Sequence, residues 1–283
     1  MLDKLFTGKK PPDEINVIDR LNESKILKSR IFKITKITNV NKTYKINIFD
    51  DCFKVSDVLN GLSKDCPGCD FRNVNLKRFD LSGGNFSGAD FTGANLHAAK
   101  LGGINLSGAN LTGANINKSD LKRANLVGAV LTEAMLYASD LSAADLTGAD
   151  LGGTKMGHAR FTRAILTNAR MTFSNMKNTK FSGATFKDTD LRESNFQEAD
   201  FQRVNLSGVR LDRAYMVRVN LKGAKLVGAS LTSADLYRAN FIGADLSNAN
   251  LTGARLTGAI TRDANLEGAI LTGAFMPDGS RGE

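Results

Sequence analysis

From Phe71 to Met276 every fifth residue of this 283-residue chain is large and apolar, with one exception, and the frame never slips. The 42 positions hold 26 Leu, nine Phe, five Met and Ile116; Thr261 is the exception. Two residues before each of them the side chain is nearly always small, and it is Ala in 27 of the 42 cases. A period of five matches neither the 3.6 of a helix nor the 2 of a flat strand. An unbroken helix through "SGANLTGANI" would also carry Gly and Asn at a high cost per turn. The pattern suits a chain that turns a corner every five residues. Each side then sends one large and one small residue inward, and the positions rich in Gly, Asn and Ser make the corners. Coils stacked in this way let like side chains form ladders and let backbone groups pair above and below.

Composition agrees with a thin, tightly filled interior. Trp is absent and Tyr occurs four times, while Ala, Leu, Gly, Asn and Thr dominate. That balance is too apolar for disorder. Segments such as "ADFTGANL", "SGANLTGANI" and "ADLTGADL" resemble the pentapeptide-repeat proteins, whose consensus is A(D/N)LXX. The resemblance covers about residues 69–276. It implies an all-β solenoid, a right-handed quadrilateral β-helix with four pentads per coil. Forty-two pentads then make about ten coils and, at about 4.8 Å per coil, a rod roughly 50 Å long.

Residues 1–65 carry no pentads, which divides the chain into an N-terminal segment (1–65), the repeats (66–276) and a short tail (277–283). "DEINVIDRLNESKILKSR" (13–30) has a helical stripe through Ile15, Ile18, Leu21, Ile26 and Leu27. "IFKITKIT" and "KTYKINIF" alternate like the strands of a β-hairpin around "NVN", and "KVSDVLNGL" reads as a short helix ending near Gly61. A small α+β cap over the first coil is the expectation, because solenoids cover their open edges. A recognition or delivery module is the competing reading. No signal peptide or transmembrane stretch is seen, so a cytoplasmic setting is expected.

"KDCPGCDFRNVNLKRFD" (64–80) contains a Cys-Pro-Gly-Cys. Cys66 falls in the five-residue frame at the large inward position, and Cys69 at the small one. Both are therefore expected to point into the first coil, as a structural cap or a reversible disulfide. A redox dithiol usually sits at a helix N-terminus, and a zinc site needs about four ligands. The only histidines, His97 and His158, lie coils away, so no metal and no cofactor is expected. Cyanobacterial members of the resembled family often carry a similar Cys-x-x-Cys before the first pentad, which implies the capping role. The Asp and Asn residues before the large position, such as Asp90, Asn95, Asp145 and Asp150, read as corner residues that bond backbone. Neither "SGG" nor "LGG" has a phosphate-loop context, and no Ser has a triad-like partner. An enzyme is not expected.

The formal charge is +9. If four pentads make a coil, residues sharing a face recur every 20 positions and their charges can be summed. The face through Leu76, Leu96 and Ile116 is net +5, the next, through Leu81 and Leu101, is net +4, and the other two are −2 each. The first basic face carries Lys77, Arg78, His97, Lys118, Tyr137, Lys155, His158, Lys177, Tyr215, Arg218, Tyr237, Arg238 and Arg255. Aromatics among cations on a rigid surface suit contact with an acidic partner. The bland alternative is that a solvated rod needs charges somewhere. A protein partner is the leading expectation, with a polyanion or nucleic acid behind it. Ile260, Ile270 and Phe275 on the last coil are candidate residues for an end-to-end homodimer.

The leading function is thus a non-enzymatic scaffold for an acidic macromolecule. Some members of the resembled family mimic duplex DNA and act on type II topoisomerases, as in quinolone resistance. That mimicry implies an acidic rod. A bacterial effector with an N-terminal delivery segment, and redox sensing by Cys66 and Cys69, are the remaining readings.

Overall fold

The structure, a computed structural model, describes residues 39–40, 43–44 and 50–283. The chain forms two compact units, Met1–Ile48 and Phe49–Glu283. In the first, β1 (Asn39–Val40) pairs antiparallel with β2 (Thr43–Tyr44), Asn39 opposite Tyr44 and Val40 opposite Thr43. The hairpin expected here is present in these four residues, with Asn39 and Val40 in the strand rather than between strands. The helical stripe expected over 13–30 lies outside the described residues.

The second unit opens with α1 (Asp50–Leu59). Gly61, at φ 71°, ends it, and the Leu62 amide turns back to the Asp57 carbonyl at 2.8 Å. Val58 is buried in the core of the repeats and Val55 packs against it.

The repeats then stack in coils of 20 residues. Parallel bridges join Asp70 to Asp90, Asn75 to Asn95, Asp80 to Lys100 and Asn85 to Asn105, one on each of four sides, and the same step continues to Arg255 and Phe275. The bonding alternates up and down. The Leu76 amide donates upward to the Asn95 carbonyl (2.8 Å), and the Asn95 amide donates downward to the Val74 carbonyl (2.9 Å). Each strand is one bridge long, yet the ladder is continuous along the rod.

Inside, the large residues of the frame are buried from Phe71 to Leu256. Like residues meet their counterparts 20 positions on: Phe71 stacks on Phe91 at 4.8 Å, and Phe161, Phe181 and Phe201 stack at 5.4 and 4.6 Å. Ser or Thr sometimes replaces the small inward Ala, and its hydroxyl then bonds a turn carbonyl, as Ser119 Oγ does to Leu96 (2.7 Å) and Thr189 Oγ1 to Leu166 (2.7 Å). No buried side-chain polar atom lacks a partner among the described residues.

The corners are more demanding than their composition announces. Every one from Gly68 to Gly273 has its third turn residue in the left-handed region, as a type II turn requires. Nineteen of these residues are Gly and 23 are not, among them Arg, Glu, Ala and Phe173. The corner amide of Arg78 donates to the His97 carbonyl of the next coil at 2.9 Å, and the Phe79 amide closes the turn onto the Leu76 carbonyl at 3.1 Å. At most corners two such hydrogen bonds hold a conformation that an L side chain resists.

The last coil has no successor. Among the described residues the amides of Thr261, Leu266 and Leu271 make no backbone bond, unlike their counterparts one coil earlier. On the fourth side the tail supplies partners. It folds back antiparallel, pairing Arg281 with Phe275, and the Gly282 amide donates to the Ala274 carbonyl at 2.8 Å. The tail is thus part of the fold.

A Cβ added at Gly148 (φ 66°) would meet nothing within 4 Å, so Gly148→Ala isolates the backbone term. It should cost about 1 kcal/mol in urea unfolding, the left-handed penalty of an L residue; an unchanged midpoint would contradict the corner geometry.

Candidate partner-binding face

The Asp and Asn residues of the frame are local turn-makers. The side chains of Asp90, Asn95, Asp145 and Asp150 accept the backbone amide two residues on at 2.9, 3.2, 2.9 and 2.9 Å. Between coils the amides form ladders, such as Asn95 Nδ2 to Asn75 Oδ1 at 3.1 Å. Their function is structural, as the sequence suggests.

Cys66 and Cys69 are fully buried in the first coil and joined by a disulfide. Pro67 and Gly68 (φ 71°) occupy the corner between them, the residue types a type II turn favours there, and the Cys69 amide donates to the Cys66 carbonyl at 3.3 Å. The bond staples a turn that the backbone already makes.

The 20-residue coil brings the sequence-picked basic residues into three adjacent columns of one face. Lys155, Tyr215 and Arg255 lie on the bridge column, which also holds Met135, Asn175 and Asp235. Lys77, His97, Tyr137, Lys177 and Tyr237 lie on the first corner column. Arg78, Lys118, His158, Arg218 and Arg238 lie on the second, at the left-handed corner residues. Cross-links such as Lys118 N to the Tyr137 carbonyl and Arg218 N to the Tyr237 carbonyl, both 2.9 Å, set adjacent columns one coil apart.

Pairing splits these residues into two kinds. Arg255 bonds Asp235 (3.4 Å) and lies over the Tyr237 ring at 4.4 Å, with Arg238 at 5.1 Å on the same ring. Arg218 meets Glu198 at 3.7 Å. Tyr137 and His158 pack edge to face at 5.3 Å. By contrast Lys77, Arg78, Lys118, Lys155, Lys177 and Arg238 enter no ion pair among the described residues. Tyr137 and Tyr215 stand 47% and 42% exposed among them.

At the far end Ile260 and Ile270 are about half exposed. Phe275 is partly covered within its own chain, since the Arg281 guanidinium lies 3.9 Å from its ring centroid.

Two features escaped sequence reasoning. Phe173 is 64% exposed at a left-handed corner of an acidic face, where neither its bulk nor its φ of 58° serves the fold. On the same face Asp190 is buried between two arginines, Arg192 at 2.7 Å and Arg210 at 2.8 Å. The Arg192 side-chain hydrogen bond holds the Asp190 carboxyl below the usual range; burial opposes this, and the Arg192 amide and Arg210 add to the lowering. Both pairs follow from spacing, one at two residues and one at twenty, once the coil length is known.

These features define a class, a repeat protein built as a four-sided parallel β-helix that presents sorted side-chain columns. The pentapeptide repeats match residues 69–108, 109–148, 144–183, 179–216, 214–253 and 249–278, about three quarters of the chain. The chain belongs to the pentapeptide-repeat family, and the right-handed quadrilateral β-helix is the fold of that family. It is similar to HetL of Nostoc sp. strain PCC 7120, a pentapeptide repeat protein involved in heterocyst differentiation regulation. The two are 28% identical over 81% of this chain and 98% of HetL, with a TM-score of 0.64. A pentapeptide repeat protein of the Arabidopsis thaliana thylakoid lumen is 29% identical over 34% of this chain and 66% of its own, TM-score 0.33. QnrB1, a plasmid-mediated fluoroquinolone resistance protein, is 20% identical over 72% and 89%, TM-score 0.35. No curated protein matches.

Because the Asp190 carboxyl binds its proton less readily in the folded chain than in the unfolded one, its stabilisation is complete above the unfolded value of about 3.9. It is lost as pH falls through the lowered folded value. Asp190→Asn should therefore lower the unfolding midpoint at pH 7, and the gap to wild type should close below about pH 4. A gap that persists unchanged to pH 2 would contradict this assignment.

Proposed function

We propose that the chain is a non-enzymatic scaffold whose basic, tyrosine-bearing face docks an acidic surface of a protein partner. The observation that carries this reading is the set of six cations on that face with no ion pair among the described residues, beside two half-exposed tyrosines. A cation needed for stability is expected to be paired or packed; of these six only Arg238 packs on a ring, that of Tyr237, and Lys77, Arg78, Lys118 and Lys155 are exposed. Arg, Lys and Tyr on a rigid surface lose little conformational freedom on contact, which favours binding. HetL, described as involved in heterocyst differentiation regulation and similar over nearly its whole length, supports a regulatory role for such a scaffold.

The remaining parts fit around that role. Burial of Val58 with the core of the repeats supports a capping function for the residues just before the first coil. No helix among the described residues is long and apolar enough to cross a membrane; we place the scaffold in the cytoplasm. Mimicry of DNA toward a topoisomerase is disfavoured by a repeat region whose two strongest faces are cationic.

Reversing Lys118, Lys155 and Lys177 to Glu tests the reading. The proteins captured by the wild-type chain and lost by the variant should be those with acidic surfaces, and their capture should weaken steeply with salt. Equal capture of the same proteins by both chains would overturn it.

A further inference from the structure

A second row of cations runs along the neighbouring face, one that the reading above does not use. Arg123, Arg163 and Arg203 occupy a single corner column at intervals of two coils. The corner residues between them are Ala143 and Gly183, and Gly223 follows Arg203. All three arginines are exposed, and none takes part in an ion pair among the described residues. The carboxylates at the near end of this face are engaged elsewhere: Asp80 meets Lys64 and Lys100, while Asp120 and Asp140 both meet Lys122.

The alternation of long and small residues is what lays the arginines in line. A Cβ built on Gly183 would sit 3.3 Å from Arg163 Cγ, and one on Gly223 would sit 3.4 Å from Arg203 Cγ. The stems of Arg163 and Arg203 thus run along the glycine of the coil above, and above Arg123 stands the small Ala143. The three arginines have φ of 57–58°, where the fold favours Gly. Nothing in the packing asks for a long side chain at these corners.

Spacing narrows the occupant. Two coils amount to about 9.6 Å, so the row spans about 19 Å in a straight line. Carboxylates seven residues apart on an α-helix are about 10.5 Å apart, and three of them span about 21 Å. A difference of about 2 Å over the row is within reach of mobile side chains. Duplex phosphates wind away from a straight line, and single strands are held by aromatic stacking; this face presents no outward aromatic residue. We propose that Arg123, Arg163 and Arg203 form a docking row for a protein helix that carries carboxylates at i, i+7 and i+14. Each guanidinium takes one carboxylate through paired N–H donors. The row is separate from the tyrosine-bearing face and stands or falls independently of it.

Two synthetic helical peptides of equal composition provide the test, one with Glu at i, i+7 and i+14 and one with the same three Glu turned to different sides. Fluorescence anisotropy with the full chain at low salt should show the aligned peptide binding at least about tenfold more tightly, since only it can meet all three arginines at once. Arg123→Gly, Arg163→Gly and Arg203→Gly together should erase that preference while keeping the thermal midpoint; the corresponding triple Gln variant serves if the Gly variant loses structure. Lys118→Glu, Lys155→Glu and Lys177→Glu together should leave the preference in place. Equal binding of the two peptides, or a preference that survives both arginine triples, would overturn the proposal. So would an oligothymidylate that binds more tightly than the aligned peptide.

Discussion

The structure rests on the backbone ladder between successive coils. A bridge one residue long is a weak strand by itself. Here four such bridges recur in every 20 residues, and each is shared with the coil above and the coil below. The ladder sets the coil length, and the coil length fixes everything else. It places Leu on Leu and Phe on Phe inside, so a narrow interior can be filled by one large and one small residue per side. It also places residue i over residue i+20 outside, which turns a linear sequence into columns of charge, amide and hydroxyl groups. Where the ladder stops, at the last coil, the frame loosens too: Thr261 breaks the apolar series and Leu266 and Leu271 are only partly buried.

The corners are where this order is held against local preference. Twenty-three L residues adopt left-handed dihedrals, and at nineteen of them two backbone hydrogen bonds, one within the turn and one to the next coil, fix the corner. Gly would be cheaper at each. The identity of a non-Gly corner residue is therefore informative, since a long or charged side chain has to be explained by what it touches. Some corner residues have such a contact: Glu198 with Arg218, and Arg238 with the Tyr237 ring. Lys118, Arg163 and Arg203 enter no ion pair among the described residues, and they carry the functional proposals.

Much of this architecture was legible in the sequence. The unbroken frame identifies the inward residues, and the position of Cys66 and Cys69 in that frame places both sulfurs inside. The turn role of Asp90 or Asp145 followed from repetition alone. The charged faces were sorted correctly by the 20-residue step, but their pairing was not read. Lys118 and Arg255 look alike in sequence, yet Arg255 has Asp235 twenty residues before it and is neutralised. Other features were hidden for definite reasons. Left-handed Arg and Phe corners run against local propensity, and only the inter-coil bonds impose them. The return of the tail depends on free backbone groups at the last coil, which no residue pattern announces.

The central claim is that residues 20 apart are stacked neighbours along the whole rod. Three cysteine pairs test it, all exchanging threonines that follow the large inward residue of their pentads. Thr147→Cys with Thr167→Cys should oxidise readily to a disulfide, because the Gly148 amide reaches the Thr167 carbonyl at 2.9 Å and the two positions lie in one column. Thr147→Cys with Thr162→Cys or with Thr172→Cys should stay reduced, since those partners lie on other faces. Mass spectrometry would read the outcome directly. A disulfide in the 20-residue pair alone is the predicted result; equal cross-linking at separations of 15 or 25 would contradict the coil on which the columns and both proposed docking faces depend.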